Sequence, residues 1–230
     1  MPNAGPGTAG VSRIDAHLGK WWDRASQRFA HRQYKSTSDL KATWRSVWLD
    51  RFCSDGRCNG ATFTEYGIGA GLLGQLLLTE YGAKHYAGID VSNKSLEASR
   101  ARLEKSSISR ERFSLHGVSV PFDQLGSRVF ISQAVIQHFP SLNYTLAFLR
   151  RVNQCGAEYL MLQLRAGASD SKKVVIPRLK HPGGFVEGAV RNATRMTTEE
   201  LTRSLDRYVI EWHNQSRFSY DFHSFRRRNV

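Results

Sequence analysis

Glu65-Tyr66-Gly67-Ile68-Gly69-Ala70-Gly71 is the stretch on which the reading of the fold turns. It closes a short strand-like run, Ala61–Tyr66, and precedes Leu72, Leu73, Leu76, Leu77 and Tyr81, which recur at helical spacing. A glycine-rich bend between strand and helix lets the backbone turn sharply and approach a ligand where any Cβ would collide. A second strand-like run, His85–Asp90, ends on an acid 19 residues beyond Gly71. A carboxylate placed there can accept hydrogen bonds from two ribose hydroxyls. Strand, glycine bend, helix, strand and acid together describe a nucleoside-cofactor site at the carboxyl ends of parallel strands.

Outward from this centre the alternation continues. A polar-faced helix is expected through Leu96–Lys105, a third strand at Phe113–Gly117 and a fourth at Arg128–Ser132. Helical material through Val152 follows, with the stripe Leu142, Leu146 and Leu149, then a fifth strand at Tyr159–Leu164. Thr197 and Glu200 have capping-box spacing for a helix running to Asp206. Tyr208–His213 and Phe218–Phe225 then read as an antiparallel hairpin closing the sheet edge. The fold class is therefore α/β: a Rossmann-like, doubly wound, mostly parallel seven-stranded sheet with a C-terminal antiparallel hairpin. Residues 1–12, small and containing Gly and Pro, are expected to be disordered. Residues 13–60 form a helical cap, where Leu40, Trp44, Val47, Trp48 and Phe52 share one face. Residues 61–230 form the main domain, with a basic, Gly-rich insertion at 165–195.

Glu65 to Gly71 resembles the first motif of the class I S-adenosylmethionine-dependent methyltransferases, an acid followed by alternating glycines. Phe130-Ile131-Ser132-Gln133-Ala134-Val135-Ile136-Gln137-His138-Phe139-Pro140 resembles their fourth-strand segment, in the style of ubiquinone-biosynthesis and other small-molecule enzymes. The resemblance covers roughly residues 61–164, with the terminal hairpin also in the family's manner. It implies S-adenosyl-L-methionine as cofactor and no metal. Gly67, Gly69 and Gly71 would lie under the methionine part, Glu65 would help hold the ammonium through the loop or a water, and Asp90 would bind the ribose, with Val91 also among the cofactor-binding residues. Ser132 and Gln133 would line the pocket beside the sulfonium. Many relatives carry an acid or amide after the third strand for the adenine amino group. Here His116-Gly117-Val118-Ser119 stands in that place, so Val118 backbone groups or Ser119 would serve instead.

Two other classes compete. Gly69-Ala70-Gly71-Leu72-Leu73-Gly74 also fits the dinucleotide fingerprint of an NAD(P)-dependent oxidoreductase, and a non-catalytic cofactor-binding domain would look the same. Glu65 argues for methyl transfer, because an acid two residues before the first glycine has no part in cradling a pyrophosphate, which prefers bare amides and a helix N-terminus. The closing helix and hairpin also differ from a second mononucleotide-binding half.

Methyl transfer needs near-attack geometry and exclusion of water more than covalent help, while a protonated acceptor also needs a base. His138 is the candidate base, its ordinary alternative being to pack the start of a helix; His181 and Glu187 are weaker options. No Asp/Asn-Pro-Pro-aromatic signature and no Pro-Cys nucleophile follow the fourth strand. The formal net charge is +13, with balances of +5 over residues 13–51 and again over 165–195, against +2 over 61–164. Arg24, Arg28, Arg32, Lys35, Lys172, Lys173, Arg178 and Lys180 carry much of that excess, so a small anionic acceptor is expected first. RNA or protein come next; Trp21, Trp22 and Tyr34 offer either stacking or packing surface. The longest apolar run, Gly71–Leu78, is far short of the roughly 20 residues of a membrane span. Cys53, Cys58 and Cys155 lack metal-ligand spacing and read as reduced thiols of a cytoplasmic protein.

Overall fold

The computed structural model describes residues 14–24, 48–165, 195–215 and 220–229. Its strands are β1 (Thr62–Tyr66), β2 (His85–Asp90), β3 (Phe113–Gly117), β4 (Val129–Ser132), β5 (Tyr159–Arg165), β6 (Tyr208–Gln215) and β7 (Tyr220–Arg227). They form one seven-stranded sheet in the order β3-β2-β1-β4-β5-β7-β6. The pairs β1–β2, β2–β3 and β4–β5 are parallel, and β7 runs antiparallel between β5 and β6. The helices are α1 (residues 14–24), α2 (Asp50–Cys53), α3 (Leu72–Thr79), α4 (Asn93–Lys105), α5 (Leu142–Asn153) and α6 (Thr198–Ser204). The expected mixed sheet with its terminal hairpin is the fold observed; the hairpin strands end two residues later than their pattern suggested.

Contacts divide the chain into two compact units, Met1–Val120 and Pro121–Val230. In the first, β1 and β2 are buried along almost their whole length, as strands covered on both faces must be. Phe63, Tyr86, Ile89, Leu73, Leu76, Leu77 and Leu103 make its core. The expected stripe after the glycine bend is present, except that α3 ends at Thr79 and leaves Tyr81 outside it, donating its hydroxyl to Asp50 Oδ1 at 2.5 Å. Helix α4 starts where Ser92 accepts from the Ser95 amide, three residues ahead of the expected start.

In the second unit Phe122, Phe130, Phe139 and Phe148 form one aromatic cluster, with ring centroids 5.1 to 6.3 Å apart. Here the expected stripe on α5 is corrected: Leu142 is exposed, and Thr145, Phe148, Leu149 and Val152 face inward. The large aromatic at Phe148 sets the helix rotation because it buries the most apolar area. The capping box of α6 is made in full, Thr197 Oγ1 accepting from the Glu200 amide and Glu200 Oε2 from the Thr197 amide.

The reading of the cysteines is also corrected. Cys53 and Cys58 form a disulfide, with Cα atoms 5.1 Å apart, and only Cys155 is a free, buried thiol. The turn Ser54–Arg57 folds the chain back on itself and brings the two sulfurs together. Disulfides are rare in the reducing cytosol, which weighs against the cytoplasmic expectation. No helix among the described residues is long and apolar enough to cross a membrane. Residues 1–12, Leu40, Trp44 and Val47, and most of the 165–195 insertion with its His181 and Glu187, lie outside the described residues.

Candidate functional site

The first unit builds its site around the bend after β1. Gly67 donates its amide to Ile89 O at 2.7 Å, tying the bend to the end of β2. Gly69 then donates to Asp90 Oδ2 at 3.0 Å, while Ser92 donates to Asp90 Oδ1 at 2.8 Å. Asp90 thus cross-links the bend to the start of α4. Gly69 and Gly71 hold φ of +52° and +73°, which L side chains rarely adopt. Their surroundings differ. A Cβ on Gly71 would meet Ser99 at 2.9 Å, whereas one on Gly69 would meet nothing within 4 Å. Gly71 is glycine because two helices approach there; Gly69 borders open space, the cradle that a ligand would fill.

Helix α4 holds the bend from behind. Ser99 Oγ donates to Gly69 O at 3.0 Å, and Arg102 Nε donates to Ala70 O at 2.8 Å. Ser99 and Arg102 escaped the sequence reading, although their i, i+3 spacing and the buried small residues Ser95 and Ser99 mark a helix face brought close to another backbone. Register places Gly117 beside Asp90, so Val118 and Ser119 follow directly at the carboxyl end of β3. Val118 is buried and Ser119 exposed.

Helix α1 covers the end of β2. A Cβ on Gly19 would come within 2.6 Å of Val91 O, so glycine permits that contact. Asp23 Oδ1 accepts from Ser92 Oγ at 2.6 Å and from the Lys94 amide at 3.1 Å, adding an anion at the N-terminus of α4. Trp21 and Trp22 are half-buried and meet edge to face at 4.7 Å.

Burial dominates the electrostatics. Asp90 is 8% exposed, and desolvation lifts its carboxyl to about 6 against the pull of its backbone donors. Glu65 is 4% exposed, and burial pushes it to about 8 despite the Tyr86 hydroxyl that donates to its Oε2 at 2.5 Å. Tyr86 in turn explains the third glycine of the fingerprint: a Cβ on Gly74 would sit 2.5 Å from the tyrosine ring. Glu65 and Gly74 therefore meet the same residue, a connection that no linear motif displays.

In the second unit Ser132 ends β4 fully buried, and Gln133 Oε1 is buried without a hydrogen-bond partner. Ala134 has a φ of +55° and donates its amide to Gln163 Oε1 at 2.8 Å, fixing the chain direction after the strand. His138 closes a 3-10 turn, Ile136–His138, half-buried, with its Nε2 3.5 Å from Gln137 Nε2.

What the first unit offers is selective. The Gly69 amide is committed to a carboxylate and the Gly71 amide to Ile68 O at 2.9 Å, so neither of these two donors is free for a ligand.

No protein-family model and no curated protein sequence matches this chain. Solved structures do resemble it. The magnesium protoporphyrin IX methyltransferase of Synechocystis with bound S-adenosylmethionine aligns at 17% identity and a TM-score of 0.59, over 99% of this chain and 100% of that one. An S-adenosylmethionine-dependent methyltransferase from Mesorhizobium loti aligns at 16% identity and 0.51, over 74% and 92%. An O-methyltransferase family 2 protein from Planctomyces limnophilus, in complex with apigenin, aligns at 12% identity and 0.55, over 75% and 52%. At these identities the likeness establishes a shared fold.

Proposed function

We propose that this chain, built on the fold of the class I S-adenosylmethionine-dependent methyltransferases, binds S-adenosyl-L-methionine and transfers its methyl group to an oxygen or nitrogen of a small anionic acceptor. One observation carries the reading: open space at Gly69 beside a bend whose amide is bound to the Asp90 carboxylate. The residues present fit the cofactor's chemistry, a cationic sulfonium amino acid joined to a ribose. Asp90 would accept the ribose hydroxyls. Val91, Val118 and Ser119 would border the adenosine, and Gly67, Gly69 and Gly71 the methionine part. Glu65 would act behind the bend, through Tyr86 and the β1 backbone.

The bound cofactor supplies an electrophilic methyl group. The chain's own task is to hold the acceptor in line, exclude water and take up a proton where the acceptor carries one. Ser132 and Gln133 are assigned to the pocket lining, and the unpartnered Gln133 Oε1 is suited to a ligand donor. His138 is assigned as the base that receives the acceptor's proton. The fold neighbours that methylate magnesium protoporphyrin IX or hold apigenin support a small-molecule acceptor.

Calorimetric titration with S-adenosylmethionine and, separately, with NADH tests the cofactor. Binding of the first alone is expected, and binding of NADH alone overturns the proposal. Incubating the protein with methyl-labelled donor and fractionated cell extract then identifies the acceptor. Label in a small-molecule fraction is expected; label only in RNA or protein fractions would overturn the acceptor assignment, and no label in any fraction would leave a binding domain without catalysis.

A further inference from the structure

We propose that His213, Asp221 and His223 form a binding site for a divalent first-row metal ion of the zinc class, with one coordination position left open. All three residues belong to the terminal hairpin, and each offers a ligand atom within 4.8 Å of the others. The hairpin is built to bring them to one face. From Tyr208 to Ile210 the β6–β7 register follows one alignment, and a bulge between Ile210 and Trp212 shifts it by one residue. Without that shift His213 would lie opposite Phe222 and point to the other side of the sheet. With it, His213 pairs with His223, and their rings stack 4.6 Å apart. Asp221, two residues before His223, shares the same face, with its Oδ2 3.6 Å from His213 Nε2.

The unsatisfied atoms point to a missing ligand. Asp221 and His223 are 7% and 4% exposed, and Asp221 Oδ1 and His223 Nδ1 make no hydrogen bond of good geometry. The backbone carbonyls of Asp221 and Leu162 lie close to the His223 ring. Burying such atoms unpaired is costly, and a coordinated cation would remove that cost. The other ring nitrogen, Nε2, lies 3.2 Å from Thr198 Oγ1, the outer partner that a metal-bound histidine usually has. Two imidazoles and a carboxylate suit zinc-like ions, and three protein ligands leave room for water or an exchangeable oxygen. His213 is about one-third exposed, which gives an ion a path inward.

The location makes the site more than a staple. His223 pairs with Leu162 of β5, and Leu162 pairs with Ser132 of β4. The cluster therefore lies level with the carboxyl ends of the second unit's parallel strands, where α/β sheets bind ligands. The inference does not rest on methyl transfer, and its test requires no cofactor.

The full chain is stripped with chelator, dialysed and titrated with Co2+ and Zn2+. One equivalent per chain is expected, with visible Co2+ absorption of low-coordinate intensity that Zn2+ displaces. His213→Ala, at a partly exposed position, should weaken Zn2+ binding by roughly 100-fold with an unchanged circular dichroism spectrum. Asp221→Asn should weaken it as well, while His116→Ala on β3 leaves it intact. Failure to bind one equivalent at micromolar metal, or full binding by His213→Ala, would overturn the site.

Discussion

Replacing Gly69 by alanine separates a glycine that serves the fold from one that serves a ligand. The backbone at Gly69 has a φ of +52°, and the new Cβ would project into space with no atom within 4 Å. The folded protein should therefore bear only the left-handed strain, about 1–2 kcal/mol. In a chain of this length that lowers Tm by roughly 2–8 °C. If the cofactor lies against that backbone, the same Cβ enters its volume, and affinity should fall at least about 100-fold, or ~2.7 kcal/mol. Gly71→Ala supplies the contrast. Its Cβ would meet Ser99 Cβ and Oγ at 2.9 Å and Cα at 3.0 Å, adding overpacking of about 1–3 kcal/mol to the strain. Gly71→Ala should thus lose more stability. Thermal melts and calorimetric titration with S-adenosylmethionine read both quantities. Wild-type affinity in Gly69→Ala would refute the placement of the cofactor at the bend.

Glu65 links stability to pH. Its folded value of about 8 lies above the ordinary 4.5, so the folded chain holds a proton that the unfolded chain releases, and this contribution is lost as pH rises. Asp90, at about 6, and His223, at about 4, pull in opposite directions below pH 6.5. Between pH 6.5 and 8 Glu65 dominates, and urea unfolding should show a loss approaching ~2 kcal/mol; Glu65→Gln should flatten that slope, and an equal slope in the variant would exclude Glu65 as its source. Asp90→Asn turns an amide toward one of two backbone donors that now meet oxygen. Cofactor affinity should drop by about 1.5–3 kcal/mol in the same calorimetric titration, and an unchanged Kd would remove Asp90 from the ribose. Asp23→Ala removes the acceptor for Ser92 Oγ and the Lys94 amide. Stopped-flow measurement should then show faster cofactor release, and an unaltered rate would mean that α1 does not restrain the ligand.

Local signals determined much of this protein. Buried strands read as short apolar runs, glycines punctuated the bend, and the capping box at Thr197 and Glu200 declared a helix start, because each depends on residues close together in the chain. The pairing of acid and bend was likewise visible, since Asp90 stands a fixed distance beyond Gly71 in any strand–helix–strand unit. Other features required residues distant in sequence to meet. Tyr86 reaching Glu65 and Gly74, Ser99 and Arg102 gripping the bend, and Asp23 capping α4 all depend on packing between elements. The cysteines misled because pairing depends on how the turn between them folds. The histidines of the hairpin were invisible as a cluster because a single bulged residue decides which face His213 takes. Sequence periodicity specifies which residues are buried, whereas only the folded register decides which buried groups touch, and the chemistry resides in those contacts.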